Sequence, residues 1–343
     1  MNLRSVSEIL PNTRVILRMD LDVAEGDDSR LVKSIPTIKL LLGKQCKIAI
    51  IGHRGRPESK DESLSLKSVY LDLMSLLEPD GENLIESVFI EDVGDKEKID
   101  QALAVDQIVF LENLRFWKGE ENNDPDFLKG LVEMSNFYVD DAFAVAHRKH
   151  RSIMLYKNLP GFYGLSFIEE AEKIAKVAEN PEKPLTVILG GAKEDKLKYL
   201  EELEKKADKI LIGGKLPKLL NPSPASQELP LTGEPKIVVA KLREDGLDLS
   251  DEDINKFKEI IKVSKTIIWA GAMGLFENAL AKKGTEEIAK AVAASNAAYK
   301  IIAGGDTGAS IRELGLEDKI DYVCSGGGVM LELLTKGKLP AWE

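Results

Sequence analysis

The chain has 343 residues and carries 47 basic against 58 acidic side chains, a formal net charge of −11. A single core rarely serves that length, so two domains are expected, and the negative field excludes a general binder of nucleic acid or anionic membrane. Cys46 and Cys324 lie in or beside apolar runs with no zinc or redox spacing, and neither MNLRSVSEIL nor any later run reaches the roughly 20 apolar residues of a bilayer span. The expectation is a soluble, cytoplasmic protein whose anionic ligands are met by local clusters of positive charge.

In chain order, short apolar runs alternate with helical patterns: RVILRMDL, SRLVKSIPTIKLLL, KIAIIGH, LKSVYLDLMSLL, VFIED, QIVFLEN and FYVDDAF. Strand and helix in alternation predict a parallel sheet with covering helices, here over residues 1–160. Pro160 and Gly161 interrupt the pattern, and FYGLSFIEEAEKIAKVAEN predicts a connecting helix within 161–180, stopped by Pro181 and Pro184. The alternation restarts with LTVILGG, DKILIGG, KIVVA, TIIWAG, YKIIAGGD and DYVCSGGG, predicting a second doubly wound α/β domain over 181–335. One stretch, Leu216 to Pro235, holds five of the 14 prolines and reads as a loop.

Candidate chemistry gathers where apolar runs end, which is where open α/β sheets place ligands. Arg18, Asp20 and Asp22 alternate with Leu17, Met19 and Leu21, so in a strand they share one face, as a solvated edge strand would also allow. IIGHRGRP releases His53, Arg54 and Arg56 in one loop; FLENLRF supplies Arg115, and DDAFAVAHRKHR supplies His147, Arg148, His150 and Arg151. Each histidine singly is more readily structural than catalytic, and Arg30 alone would be a surface arginine. Three arginine-bearing loops in an acidic protein nevertheless point to phosphate or carboxylate recognition. The later runs end in ILGGAK, LIGGK, WAGAMG, AGGDTG and CSGGG. Glycine lets backbone N–H groups approach a phosphate, and a following helix adds its positive end, although Gly-Gly turns also serve plain chain reversal. Neither a P-loop nor a dinucleotide fingerprint occurs, which counts against a nicotinamide-dependent dehydrogenase.

Taken in order, RMDLDV, SRLVKSIPTIKLLL, GHRGRP, LENLRFWKGEE, DDAFAVAHR, ILGGAK, GAMGLFE, GGDT and SGGG resemble the phosphoglycerate kinase family nearly end to end. The resemblance implies two Rossmann-like parallel-sheet domains joined by an interdomain helix and flanking a cleft, with Glu169 near a hinge and the tail 336–343 returning toward the first domain. It implies reversible phosphoryl transfer between 1,3-bisphosphoglycerate and ADP, giving 3-phosphoglycerate and ATP, by a monomer with Mg2+. Asp20, Asp22, Arg30, His53, Arg56, Arg115 and Arg148 would surround the phosphoglycerate. Gly191, Lys193, Lys196, Glu277, Gly304, Gly305, Asp306 and Thr307 would serve the nucleotide, Asp306 also the metal. Arg30, Lys193 and the backbone of Gly326, Gly327 and Gly328 would act on the moving phosphoryl group. The rival reading is a weakened paralogue that binds phosphorylated ligands or a partner without turnover.

The chain departs from the family pattern at Asp22, usually Asn, at Arg54, usually Leu, and at Ala270 and Ala272, usually Asn and Pro. The first two would offset each other electrostatically. Ala270, Ala272 and the proline-rich loop suggest a trimmed base pocket with reduced discrimination among diphosphates. The family's G-G-A-K-x-S-D-K is one residue shorter here, GGAKEDK; on an α-helical start that deletion turns Lys196 by about 100° relative to Lys193.

Overall fold

The computed structural model describes residues 3–78, 84–220 and 235–340, and within them the chain forms two compact units. The first takes the chain up to Glu172 together with Leu339 and Pro340; the second is Lys173–Lys338. The helix Leu165–Glu179 contributes to both. The proline-rich stretch falls mainly on residues 221–234, outside the described residues.

The first sheet consists of β1 (Arg14–Met19), β2 (Lys47–Ile51), β3 (Ser87–Ile90), β4 (Ile108–Leu111), β5 (Phe137–Asp141) and β6 (Gly161–Tyr163), in the order β3-β4-β2-β1-β5-β6. All its pairings are parallel. Alternation along β1 explains how both faces are filled: Val15, Leu17 and Met19 pack with Leu31, Ile38 and Leu73, whereas Ile16 packs with Ile99, Leu103 and Leu131. By the same parity Arg18 follows Ile16, and it is fully buried. Its strand pairs with β2 on one side and β5 on the other, so the edge-strand reading of these charges fails. The strand stops at Met19, and Asp20 and Asp22 belong to the loop beyond it.

The second sheet consists of β7 (Leu185–Leu189), β8 (Lys209–Ile212), β9 (Ile237–Val239), β10 (Thr266–Ala270), β11 (Tyr299–Ala303) and β12 (Tyr322–Cys324). Its order, β9-β8-β7-β10-β11-β12, is that of the dinucleotide-binding doubly wound fold, and all pairings are parallel. Ile188, Leu211, Ile267, Trp269 and Ile302 pack against Ile254, Phe257 and Ile261 of helix Asp251–Val263 and Ile288 and Val292 of helix Lys283–Ala294. Ser250 caps the first of these helices by accepting the Asp253 N–H at 3.2 Å.

These orders decide where ligands can bind. The chain leaves β1 toward β2 but leaves β5 toward β6; likewise it leaves β7 toward β8 and β10 toward β11. Adjacent strands whose connections diverge open a crevice at their carboxyl ends. One crevice therefore lies beyond β1 and β5, the other beyond β7 and β10.

Candidate functional site

In the first unit the loops around the crevice carry most of its arginines. Arg30 sits at the start of helix Ser29–Gly43, and its Nη1 donates to both oxygens of Asp20 at 2.8 Å. Burial works against the Arg30 charge, but Asp20 and then Asp22 outweigh it and hold the guanidinium's pKa above its ordinary value. Asp22 and Arg54 do not pair. Asp22 accepts the Gly55 N–H at 2.8 Å, while Arg54 Nε donates to the Val23 carbonyl at 3.1 Å and Nη1 to Ser68 at 3.2 Å. Each thus ties the β1 loop to the β2 loop or its neighbour, so their departure from the family pattern is structural as well as electrostatic.

Beneath this rim lies a buried layer. Arg18 donates from Nε to Ser152 at 3.0 Å, from Nη1 to the Met19 carbonyl, and from Nη2 to His53 Nδ1 at 2.6 Å. Ser152 in turn donates its hydroxyl to Glu120 at 2.6 Å, and its backbone N–H reaches the other Glu120 oxygen at 2.9 Å. Arg115 donates to the Gly55 carbonyl, and its Nε lies 3.4 Å from Glu121. Burial, then Arg148, brings Arg115 down to about 10, Glu121 opposing. His150 falls to about 3 through burial and the charges of Arg115 and Arg148, and His53 lies well below its ordinary value through burial and Arg18. Positive charges therefore crowd one another in this unit, and the histidines among them are neutral.

Of the residues expected to bind phosphoglycerate, Asp20, Arg30, His53, Arg115 and Arg148 share this one electrostatic neighbourhood with Asp22. Arg56 stands exposed on the β2 loop, two residues beyond Arg54. Glu120 and Ser152 escaped the sequence reading. Nothing in WKGEE distinguishes a buried carboxylate from its solvated neighbour.

In the second unit the crevice is made of backbone. Gly190 N–H donates to the Ala270 carbonyl at 2.9 Å and Gly191 N–H to that of Ala272 at 2.7 Å; Gly214 N–H reaches Met273 at 3.0 Å. These bonds continue the sheet past its strands and bring the loops after β7, β8 and β10 into contact. Gly271, at φ +99°, could carry no Cβ: it would meet the Gly190 carbonyl and Lys196 Nζ. Gly271 N–H donates to Thr307 Oγ1 at 3.1 Å, which fixes the start of helix Gly305–Glu313 beside the crossing. A second glycine-led helix, Gly327–Lys336, begins after β12, with Tyr199 donating to Glu332 at 2.6 Å from the lysine loop. Gly304 and Gly326 precede these helices without capping them through a side chain, so the first-turn N–H groups are open to an anion.

Lys193 is exposed at the cap of a 3₁₀ segment, Glu194–Tyr199, rather than of an α-helix. Three residues make a full turn of a 3₁₀-helix, so the one-residue deletion does not swing Lys196 aside. Its Nζ donates to Gly190 O at 2.7 Å and Ala270 O at 3.1 Å. Burial brings it to about 8, with Asp195 and Asp306 opposing. Glu277 is exposed beyond β10, and Asp306 is exposed in the first turn of its helix.

A basic loop cluster thus lies at one switch point and a glycine-built crevice with open helix N-termini at another, both suited to anionic small molecules. A family model described as phosphoglycerate kinase matches residues 6–222 and 231–338. The phosphoglycerate kinase of Dictyoglomus turgidum is 34% identical over 381 residues, covering 97% of this chain and 95% of the relative. The cytosolic phosphoglycerate kinase of Triticum aestivum is 34% identical over 385 residues, covering 96% and 94%. Two solved structures cover 99% of this chain and 98% of their own: phosphoglycerate kinase from Coxiella burnetii, TM-score 0.73 at 28% identity, and that from Pyrococcus horikoshii OT3, TM-score 0.80 at 25%. The chain belongs to the phosphoglycerate kinase family.

Proposed function

We propose that the protein transfers a phosphoryl group between 1,3-bisphosphoglycerate and ADP, with 3-phosphoglycerate held by the first unit and the nucleotide by the second. The observation that carries this reading is the division of labour between the two crevices, arginine side chains in one and bare backbone N–H groups in the other. The weakened-paralogue reading has no comparable support, because Arg30, Lys193, Glu277 and Asp306 are all present.

A carboxylate acceptor is already ionised at neutral pH, so the reaction needs no general base. What remains is alignment and charge. Arg30, Arg115 and Arg148 hold the phosphoglycerate, with His53 and Arg56 beside them and Asp20 orienting Arg30. Arg30 and Lys193 carry positive charge to the group in flight, as an arginine finger does, while the N–H groups of Gly327 and Gly328 receive its oxygens. Gly191, Lys196, Gly304, Gly305 and Thr307 line the phosphate end, and Glu277 is assigned to the ribose. Helix Leu165–Glu179, whose residues belong to both units, is the element that connects them.

Among the described residues no group of three or more His, Cys, Asp or Glu side chains gathers to hold a metal. Mg2+ that arrives on nucleotide phosphates keeps most of its water and takes only one or two protein carboxylates. Asp306 would hold it; when bound, the ion neutralises charge on the phosphate oxygens. Cys46 and Cys324 are buried thiols outside any disulfide, which fits a reducing cytoplasm, and no helix among the described residues is long and apolar enough to cross a membrane.

ATP formation from 1,3-bisphosphoglycerate, followed with ADP and GDP in parallel, tests the proposal. Turnover with ADP is expected, and comparable turnover with GDP would bear on the trimmed base pocket. No turnover with either would overturn the assignment.

A further inference from the structure

The buried layer under the arginine loops has a direction. Arginine offers only N–H donors, so His53 Nδ1, 2.6 Å from Arg18 Nη2, must be the acceptor. As a carboxylate, a form that burial disfavours and that Arg18 and the two Ser152 bonds favour, Glu120 offers Ser152 only acceptors, at 2.6 Å to the hydroxyl and 2.9 Å to the backbone N–H. The Ser152 hydrogen therefore points to Glu120, and the lone pairs of the same oxygen face Arg18 Nε at 3.0 Å. Glu120, Ser152 and Arg18 are fully buried and His53 is 1% exposed, so water does not scramble these assignments.

We propose that Ser152 and Glu120, as successive acceptors from Arg18 Nε, aim the guanidinium so that its Nη2 holds His53 as the neutral tautomer protonated on Nε2. Arg18 and Glu120 are then positioning residues. Two features favour this over a plain buried ion pair. The carboxylate does not touch the guanidinium directly but acts through a hydroxyl whose orientation it sets, and the guanidinium ends on an imidazole nitrogen rather than on a second carboxylate. Arg115, Arg148 and His150 also act on His53 electrostatically, and the arginines, being cationic, oppose a second proton on the ring. Under the reading of function given above, His53 is then a neutral donor to substrate oxygen and takes no part as a base.

The test is the nitrogen spectrum of the imidazoles in the full, unliganded chain, labelled on histidine, between pH 5.5 and 8. The chain has only 3 histidines, so His147→Asn and His150→Asn assign the signals. His53 should show a bare Nδ1 and a protonated Nε2 throughout; an Nδ1–H tautomer or an imidazolium within that range would overturn the proposal. Ser152→Ala removes the acceptor of Arg18 Nε without adding charge, which frees the guanidinium to turn away from His53 Nδ1. It should give a mixed His53 tautomer and raise KM for 3-phosphoglycerate about tenfold, leaving kcat and the KM for nucleotide within about twofold. A folded Ser152→Ala protein with the wild-type tautomer would overturn it too, and if that variant does not fold, the wild-type spectrum decides alone. The spectrum needs no substrate. Absence of phosphoglycerate turnover would refute the assigned function while leaving the tautomer standing.

Discussion

Under the proposed function, Lys196 should make nucleotide binding sensitive to pH near neutrality. Burial brings its ammonium to about 8, and two of its three N–H donors are taken by Gly190 O and Ala270 O. The third is left for a phosphate, which favours the charged form and so raises the pKa in the complex. The affinity that Lys196 contributes is therefore complete below pH about 8 and is lost as pH rises through that value, because binding must then draw a proton from solution. Between pH 7.5 and 9 the charged fraction of the free lysine falls roughly eightfold, and the dissociation constant for ADP should rise by about that factor. The total loss is bounded by one charge-assisted hydrogen bond, about 1.5–3 kcal/mol. Calorimetry across that range avoids titrating the nucleotide, whose terminal phosphate ionises near pH 6. Lys196→Arg should flatten the profile. A wild-type affinity that stays constant from pH 7.5 to 9, or an equal slope in Lys196→Arg, would refute the reasoning.

Arg30→Ala should lower kcat by about 10³ or more with little change in ADP affinity; a variant that keeps most of its turnover in the coupled assay removes the role given to Arg30. Asp22→Asn keeps an oxygen for the Gly55 N–H and deletes one negative charge, so 3-phosphoglycerate should bind roughly three- to tenfold tighter, and an unchanged dissociation constant would dispose of the repulsion. Burial raises Asp140 to about 6 and Asp141 to about 7, a raised folded pKa whose stabilising effect is present at pH 4 and lost as pH climbs through 7. Asp141→Asn retains an acceptor for the Phe167 N–H, 3.0 Å away, and should stabilise the protein at pH 8 by at most about 4 kcal/mol, with little gain at pH 4. Equal shifts in Tm at the two pH values would contradict that account.

The strands were legible because a parallel sheet buried on both faces demands near-continuous apolar runs, and RVILRM, KIAII, IVFL and TIIWA are such runs. The arginines of the first crevice were legible because loops at strand ends are where side chains converge. Glu120 was not: it lies far from Arg18 in sequence, and its burial depends on Ser152 and Arg18 arriving from other elements. Lys196 was misjudged in orientation because its placement depends on whether the backbone winds with three or 3.6 residues per turn. The residues of GGAKEDK give no hint of that choice. The Asp22 and Arg54 departures looked like a charge pair in sequence, yet each found a backbone partner of its own.

The glycines at the crossing of the loops after β7, β8 and β10 have no room for a Cβ, and this bears on how the proposed nucleotide site can change. Gly190, Gly214 and Gly271 each press against carbonyls of neighbouring loops, so any residue with a Cβ there would force the crossing apart. Affinity for phosphate cannot be adjusted one substitution at a time within that knot. Variation is confined to its exposed fringe, at Ala192, Glu194 and Glu277, where side chains reach solvent. A library that randomises the glycines should return almost nothing folded, whereas one confined to the fringe should return folded proteins that differ in the nucleotide they prefer.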